Sequence, residues 1–267
     1  MVTTTTILAD LVREVGGRHV DVVSLVAKGG EVHTFDPRPA DVQRITRADV
    51  IFANGLGLDD WLTTLATDAG AGAPVVRLGE DLPDVTYLAG DQEAANPHLW
   101  LNVAYAVKYV DRIEAALAGA DPADAAVYGA AADAYRARLA ALDGEIRERI
   151  GVLPVANRVV VSFHDAFPYF ATAYGLTIAG TIVDAPGQDP GAGEIADLVA
   201  TIRSSGVKAI FAEAQFNPKL AETIAGETGA VVVTDLYTDS VGDAPADTYE
   251  GLMRSNADRV VEALAGG

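Results

Sequence analysis

The stretch Asp121–Ile150, DPADAAVYGAAADAYRARLAALDGEIRERI, decides the architecture. Asp121-Pro122 reads as an N-cap followed by proline at the first helical position, where a missing N–H costs nothing. From Ala123 to Ile150 only Gly129 and Gly144 interrupt a composition rich in Ala, Arg, Leu and Glu. That composition predicts one helix of about 28 residues, roughly 40 Å long at 1.5 Å per residue. Two-lobed proteins commonly cross between lobes on flexible segments. A single helix of this length is a stiff connector.

On its N-terminal side, strand-like and helix-like segments alternate. Val20–Val26 is a short apolar run, Pro39–Asp49 has helical spacing, and Val50–Ala53 is a second apolar run closed by Asn54-Gly55. Asp59–Ala69 reads as helix and Pro74–Leu78 as strand. The C-terminal side repeats the pattern. Val159–Phe163, Leu176–Ile182, Val207–Ala212 and Ala230–Thr234 read as strands. Pro168–Tyr174, Glu194–Ser205, Pro218–Thr228 and Thr248–Leu264 read as helices. Such alternation implies parallel strands with crossover helices. The expected division is an α/β lobe over 1–120, a connecting helix over 121–150 and a second α/β lobe over 151–267.

Composition narrows the function. Acidic residues number 38 against 19 Lys plus Arg, giving a formal net charge of −19. Nucleic acid is a poor partner for such a chain, because phosphate binding needs clustered cations. An acidic field attracts cations, although the same charge also serves solubility alone. There is no cysteine, so disulfides, thiolate metal sites and thiol catalysis are all excluded. No apolar run approaches the roughly 18–20 residues that span a bilayer. Met1-Val2 leads straight into Thr3–Thr6 without a basic and then apolar leader. That leaves two readings, a cytoplasmic protein or the mature form of an exported one.

Four histidines are present, His19, His33, His98 and His164. His33 lies in Gly29-Gly30-Glu31-Val32-His33-Thr34-Phe35-Asp36-Pro37, a loop after a strand, where a lone histidine is most often solvated. His98 lies in Asn96-Pro97-His98-Leu99-Trp100, with Pro97 suited to the first turn of the helical run that follows. A histidine there stays neutral, as a metal ligand must be, or simply packs beside Trp100. His164 follows the strand Val159–Phe163. Asp239 follows the strand Ala230–Thr234, in a Thr-Asp-Ser turn that is equally suited to capping. His19 enters a strand from a polar turn and reads as exposed. Ligands in α/β sheets gather at the carboxyl ends of strands. Three imidazole nitrogens and one carboxylate oxygen form a plausible tetrahedral zinc set.

The order and spacing of these blocks resemble the metal-receptor family of ABC importers, of the ZnuA, TroA and PsaA kind. The resemblance runs from Ile7-Leu8-Ala9-Asp10 and Val15-Gly16-Gly17 through His33-Thr34-Phe35-Asp36-Pro37, Asn54-Gly55-Leu56-Gly57-Leu58-Asp59 and Asn96-Pro97-His98-Leu99-Trp100. It continues through His164, Tyr169-Phe170, Tyr174-Gly175, Phe211-Ala212-Glu213 and Thr238-Asp239-Ser240. It implies two Rossmann-like lobes with parallel sheets, joined by one long rigid helix. It places a metal between the lobes on His33, His98, His164 and Asp239. It also implies export to the periplasm with the leader removed. The implied partner is the importer's membrane permease, with a periplasmic metallochaperone as a conceivable donor, and the chain is expected to act as a monomer.

Two departures from the family bear on the metal. Many zinc receptors carry a His-rich acidic loop before the second ligand. Here Leu82–Ala95 is short, with Asp84, Asp91 and Glu93 but no histidine. Manganese receptors often have a carboxylate at the third position, where this chain has His164. The expected cargo is therefore zinc, with manganese as the alternative. The main rival is a mononuclear zinc hydrolase, which needs a coordination position open to water, whereas four protein ligands close the shell. No HExxH, GxSxG or Walker A pattern supports other chemistry. An adhesin that keeps the fold but acts by surface contact is a second rival, without a recognisable surface in the sequence.

Overall fold

The computed structural model describes residues 1–90 and 94–265. Asp91 and Glu93 of the acidic loop lie outside the described residues. The first half builds a parallel sheet from β1 (Val2–Thr3), β2 (Val23–Ser24), β3 (Ile51–Ala53) and β4 (Val75–Arg77), in the order β2-β1-β3-β4. The second half builds another from β5 (Val159–Ser162), β6 (Thr177–Thr181), β7 (Ala209–Glu213) and β8 (Val231–Leu236), in the order β6-β5-β7-β8. The two orders are the same topology used twice. In each, the first strand lies between the second and third, which is the switch point where α/β sheets bind ligands.

Crossover helices connect the strands. They are α1 (Thr6–Gly16), α2 (Pro39–Thr46) and α3 (Asp60–Asp68) in the first half, and α6 (Pro168–Tyr174), α7 (Ala192–Ser205) and α8 (Lys219–Thr228) in the second. Between the halves stand α4 (Val103–Ala120) and α5 (Ala125–Gly151), and α9 (Tyr249–Ala265) closes the chain.

The connector α5 has 27 residues. It starts slightly later than its sequence suggests, because Pro122–Asp124 form a single 3-10 turn ahead of it. Asp121 makes no cap; its carboxylate accepts from the Tyr128 hydroxyl at 3.0 Å instead. Tyr128, Ala132, Tyr135, Leu139, Leu142, Ile146 and Ile150 recur every three or four residues and are all buried, so one stripe faces inward. That stripe packs on α4, α1 and α9. Truncating a member such as Leu139 to Ala would cost about 2–5 kcal/mol. Pro154 forbids continuation of the helix beyond its end.

Two strands depart from their sequence reading. The central strand β1 was not expected at all, because two residues ahead of a threonine run carry no periodic signal. Val20–Val26 was expected as one strand, but only Val23–Ser24 pairs. The partner sets that limit. After Thr3 the chain turns into α1, whose first turn is capped when Thr5 Oγ1 accepts from Leu8 N at 3.3 Å.

The largest core is continuous across both halves. It includes Leu11 of α1, Phe52 of β3, Val110 of α4, Leu139 of α5, Phe170 of α6 and Leu252 of α9. Smaller cores lie against the outer faces of each sheet.

Candidate metal centre

All four expected site residues follow the carboxyl end of a strand. His33 lies in the β2–α2 connection, His98 in the β4–α4 connection, His164 just past β5 and Asp239 just past β8. Their nitrogen and oxygen atoms converge, one from each residue, all within 4.8 Å of one another. His98 Nε2 lies 3.4 Å from His164 Nε2 and 3.4 Å from Asp239 Oδ1. His164 Nε2 lies 3.5 Å from Asp239 Oδ2. The His33 ring is 5.5 Å from that of His98 and 5.8 Å from that of His164, between centroids, and its Nε2 is buried without a partner. His19 does not join them. It is exposed, as expected, and its Nδ1 contacts Asp124 Oδ2 at 2.6 Å.

His98 precedes a 3-10 turn (Leu99–Leu101) rather than opening an α-helix, since α4 starts only at Val103, capped by Asn102. Its ring does lie against Trp100, at 5.3 Å between centroids, while still facing the cluster. Asp239 caps nothing; it is buried with both oxygens turned to the imidazoles.

The groups behind the cluster set its charge. Glu213, fully buried at the end of β7, places Oε1 2.7 Å from His164 Nδ1. The approach is not straight along the ring N–H, so it is a close ionic contact more than an ideal hydrogen bond. Burial alone would lower the His164 pKa, but Glu213, Asp239 and Glu31 overcome it and push it up to about 9. His33 has the opposite fate: burial lowers it to about 4, and the attraction of Asp239 does not compensate. For Asp239, burial, which raises the carboxyl, is overcome by the adjacent imidazoles of His98, His164 and His33, so it is held below the usual range. Glu31 accepts from His33 N at 2.8 Å, and burial together with the charge of Asp239 raises it to about 7.

The loops that carry these residues are fixed by neighbouring segments. The turn Asn54–Asp59 serves the His98 loop. Asp59 accepts from Asn54 N at 2.6 Å and from Gly55 N at 2.8 Å, and Asn54 Nδ2 donates to Pro97 O at 3.1 Å. The Asp239 loop belongs to the second half of the sequence but is bonded to the first. Trp100 Nε1 donates to Thr238 O at 2.7 Å, Gly29 N to Ser240 Oγ at 2.9 Å and Val241 N to Thr6 Oγ1 at 3.0 Å. A cleft of roughly 230 Å³ reaches His33 and His98 from outside, with Asp165 and Asp184 on its wall.

The sequence reading assigned no role to Glu213, Glu31 or Asn96. Glu213 ends a strand and Glu31 precedes His33 by two positions. Either reads as an ordinary solvated carboxylate until the sheets place it.

The family model described as zinc-uptake complex component A, periplasmic, matches residues 1–263. The manganese-binding lipoprotein MntA of Halalkalibacterium halodurans is 31% identical over 268 residues, covering 99% of this chain and 88% of that protein. The metal ABC transporter substrate-binding lipoprotein SsaB of Streptococcus sanguinis is 30% identical, covering 99% and 89%. Among solved structures, the periplasmic zinc-binding protein TroA of Treponema pallidum superposes with a TM-score of 0.91 at 28% identity, over 98% of each chain. A manganese-bound periplasmic metal-binding protein of Candidatus Liberibacter asiaticus gives 0.87 at 25% identity, again over 98% of each.

Proposed function

Because the chain belongs to the ZnuA family of metal-uptake receptors, we propose that it captures one zinc ion outside the cytoplasm and delivers it to the membrane permease of an ABC importer. The family consists of substrate-binding proteins, not enzymes, which removes the hydrolase rival. The receptor acts as a single chain in the periplasm, with lobes 1–120 and 151–267 on either side of a connector over 121–150. His33, His98 and His164 supply three nitrogens through Nε2, and Asp239 supplies the oxygen.

One observation carries the choice of zinc. A tetrahedron with metal–ligand bonds of about 2.0–2.1 Å has edges of about 3.3–3.4 Å. His98 Nε2 and His164 Nε2 lie 3.4 Å apart, and each lies near an Asp239 oxygen, Oδ1 at 3.4 Å for His98 and Oδ2 at 3.5 Å for His164. An N3O set without sulfur suits zinc better than manganese, which prefers more oxygen ligands. Manganese is the second reading, favoured by the name of the MntA relative and by the two further carboxylates, Glu31 and Glu213, near the cluster.

Titration of the metal-free protein with zinc against a chromogenic chelator is expected to show one tight site per chain. In competition at equal concentrations, zinc is expected to displace manganese. If manganese holds its share, the zinc assignment falls and the receptor assignment stands. Two equally tight zinc sites would overturn the single-cluster reading.

A further inference from the structure

Beside the histidine cluster, one contact between the two halves runs through a single amide. Asn96 is 1% exposed. Its Nδ2 donates to the main-chain carbonyl of Asp165 at 2.6 Å and to Asp165 Oδ2 at 3.0 Å. Its Oδ1 accepts from His98 N at 3.1 Å and lies 2.9 Å from His98 Nδ1. Two backbone groups fix the orientation of this amide without reference to any ring. A carbonyl oxygen can only accept, so the NH2 end faces Asp165. A backbone N–H can only donate, so the oxygen end faces His98. His98 Nδ1 therefore meets an acceptor and must carry the hydrogen. Its Nε2 is left with a free lone pair, directed at His164 Nε2 and Asp239 Oδ1.

We propose that Asn96 is a positioning residue that locks His98 in the Nδ1–H tautomer and ties the placement of that ring to the seating of the second lobe through Asp165. The use of the ring as a ligand rests on the receptor reading above; the tautomer does not. Asp165 adjoins His164, so the segment that presents the third imidazole also holds the amide that orients the second. The main chain of Asn96 is held from the same side, where Tyr169 Oη of α6 donates to Asn96 O at 3.0 Å. Asn96, His98 and Asp165 all line the cleft. Separation of the lobes there would break the Asn96–Asp165 bonds and leave the amide held at its oxygen end alone, by His98 N. His98 then keeps its Nδ1–H tautomer but loses the fixed placement that the Asp165 bonds give its ring. The residue type follows from the same geometry. A carboxylate at position 96 would accept from His98 equally well, but it would set oxygen against oxygen at Asp165.

The test uses the full chain with zinc alone as probe, in parent, Asn96→Ala and Asn96→Asp. Long-range proton–nitrogen NMR of the metal-free protein labelled on histidine reads the tautomer. Chelator competition reads affinity, and stopped-flow transfer to excess chelator reads release. The parent is expected to show His98 as Nδ1–H. Asn96→Ala is expected to show mixed tautomers and roughly 10- to 100-fold weaker zinc binding, the usual loss when the partner of a ligating imidazole is removed. Asn96→Asp is expected to restore the Nδ1–H tautomer and still release zinc faster than the parent, because it cannot donate to Asp165. A parent His98 protonated on Nε2 would overturn the proposal. So would a folded Asn96→Ala protein binding zinc within twofold of the parent. If Asn96→Ala does not fold, Asp165→Ala decides. It removes one of the two accepting groups, and faster release with the tautomer unchanged supports the coupling, whereas parent-like release refutes it. A parent that binds neither zinc nor manganese would instead overturn the receptor reading, while the NMR result would still stand alone.

Discussion

His33 and His164 face each other across one cluster, ring centroids 5.8 Å apart, yet the protein holds them in opposite ways. His164 follows β5, an interior strand, and is backed by Glu213 on the adjacent strand β7. Ring and partner are thus fixed by two neighbouring strands of one sheet. His33 lies well past β2, an edge strand, in a loop with glycines at 29 and 30 and a proline at 37. Only its backbone is held by a carboxylate, that of Glu31. Burial is the first influence on both rings and lowers both; an adjacent carboxylate reverses it for His164 alone, leaving one near 4 and the other near 9. The position of each ring in its sheet, more than its residue type, decides whether it stands as a ready base or as a protonated ring.

The largest expected effect tests the rigidity of the two. His164→Ala is expected to weaken zinc binding by more than about 100-fold, since removing the partner of a ligating imidazole already costs roughly 10- to 100-fold. His33→Ala is expected to lose less, because a loop not backed by a neighbouring strand leaves room for water or Glu31 to substitute. Chelator competition on both variants measures this, and equal losses would break the comparison.

The next effect concerns the proton. Near neutral pH His164 is protonated in the metal-free protein and His33 is not. Zinc binding is therefore expected to release about one proton, and affinity to rise about tenfold per pH unit up to about pH 9. Calorimetry in two buffers of different ionisation enthalpy counts the proton. Glu213→Gln is expected to weaken binding roughly 10- to 100-fold at alkaline pH, where proton competition is gone, and to end the pH dependence at a lower pH. An unchanged profile in that variant would remove Glu213 as the cause.

The smallest effect is on stability without metal. The folded value of His33, about 4, lies below its ordinary 6.5, so its contribution is complete above pH 6.5 and is lost as pH falls toward 4. The folded value of His164, about 9, lies above 6.5, so its contribution is complete below pH 6.5 and is lost as pH rises through 9. Each limb is worth about 3 kcal/mol. Denaturant melts across pH 4.5–9.5 are expected to show a flattened acid limb in His33→Gln and a flattened alkaline limb in His164→Gln. If the two variants swap limbs, the contrast between the rings is reversed.

Much of this was legible in the chain before it was folded. The alternation of apolar runs and helical spacing located the crossover helices and seven of the eight strands, because each run ends at a glycine, proline or polar turn. The four residues of the cluster were legible because each lies in a connection leaving the carboxyl end of a strand, where α/β sheets concentrate their chemistry, and because the blocks around them resemble a known family. Glu213 was not. A carboxylate ending an apolar strand looks solvent-bound, and only the order β5-β7 brings it beneath His164. Asn96 was hidden for a similar reason, since its partner Asp165 is distant in sequence. Strand β1 escaped because two residues cannot display a period of two. The anchoring of the Asp239 loop to the first half also had no local signal. It depends on Thr6, Gly29 and Trp100, three residues from three separate segments.

The continuous core along α5 has a consequence for how the chain folds. Tyr128, Leu139 and Ile150 share one apolar cluster with residues of α1 and α4 before them and of α6 and α9 after them. A polypeptide ending near residue 120 would expose the face of α4 that α5 covers, and one beginning near 151 would leave α9 without its main support. Neither half is an autonomous folding unit, although each has a complete sheet. The protein should melt in a single calorimetric transition, because α1 and α9, from opposite ends of the fold, belong to the same cluster.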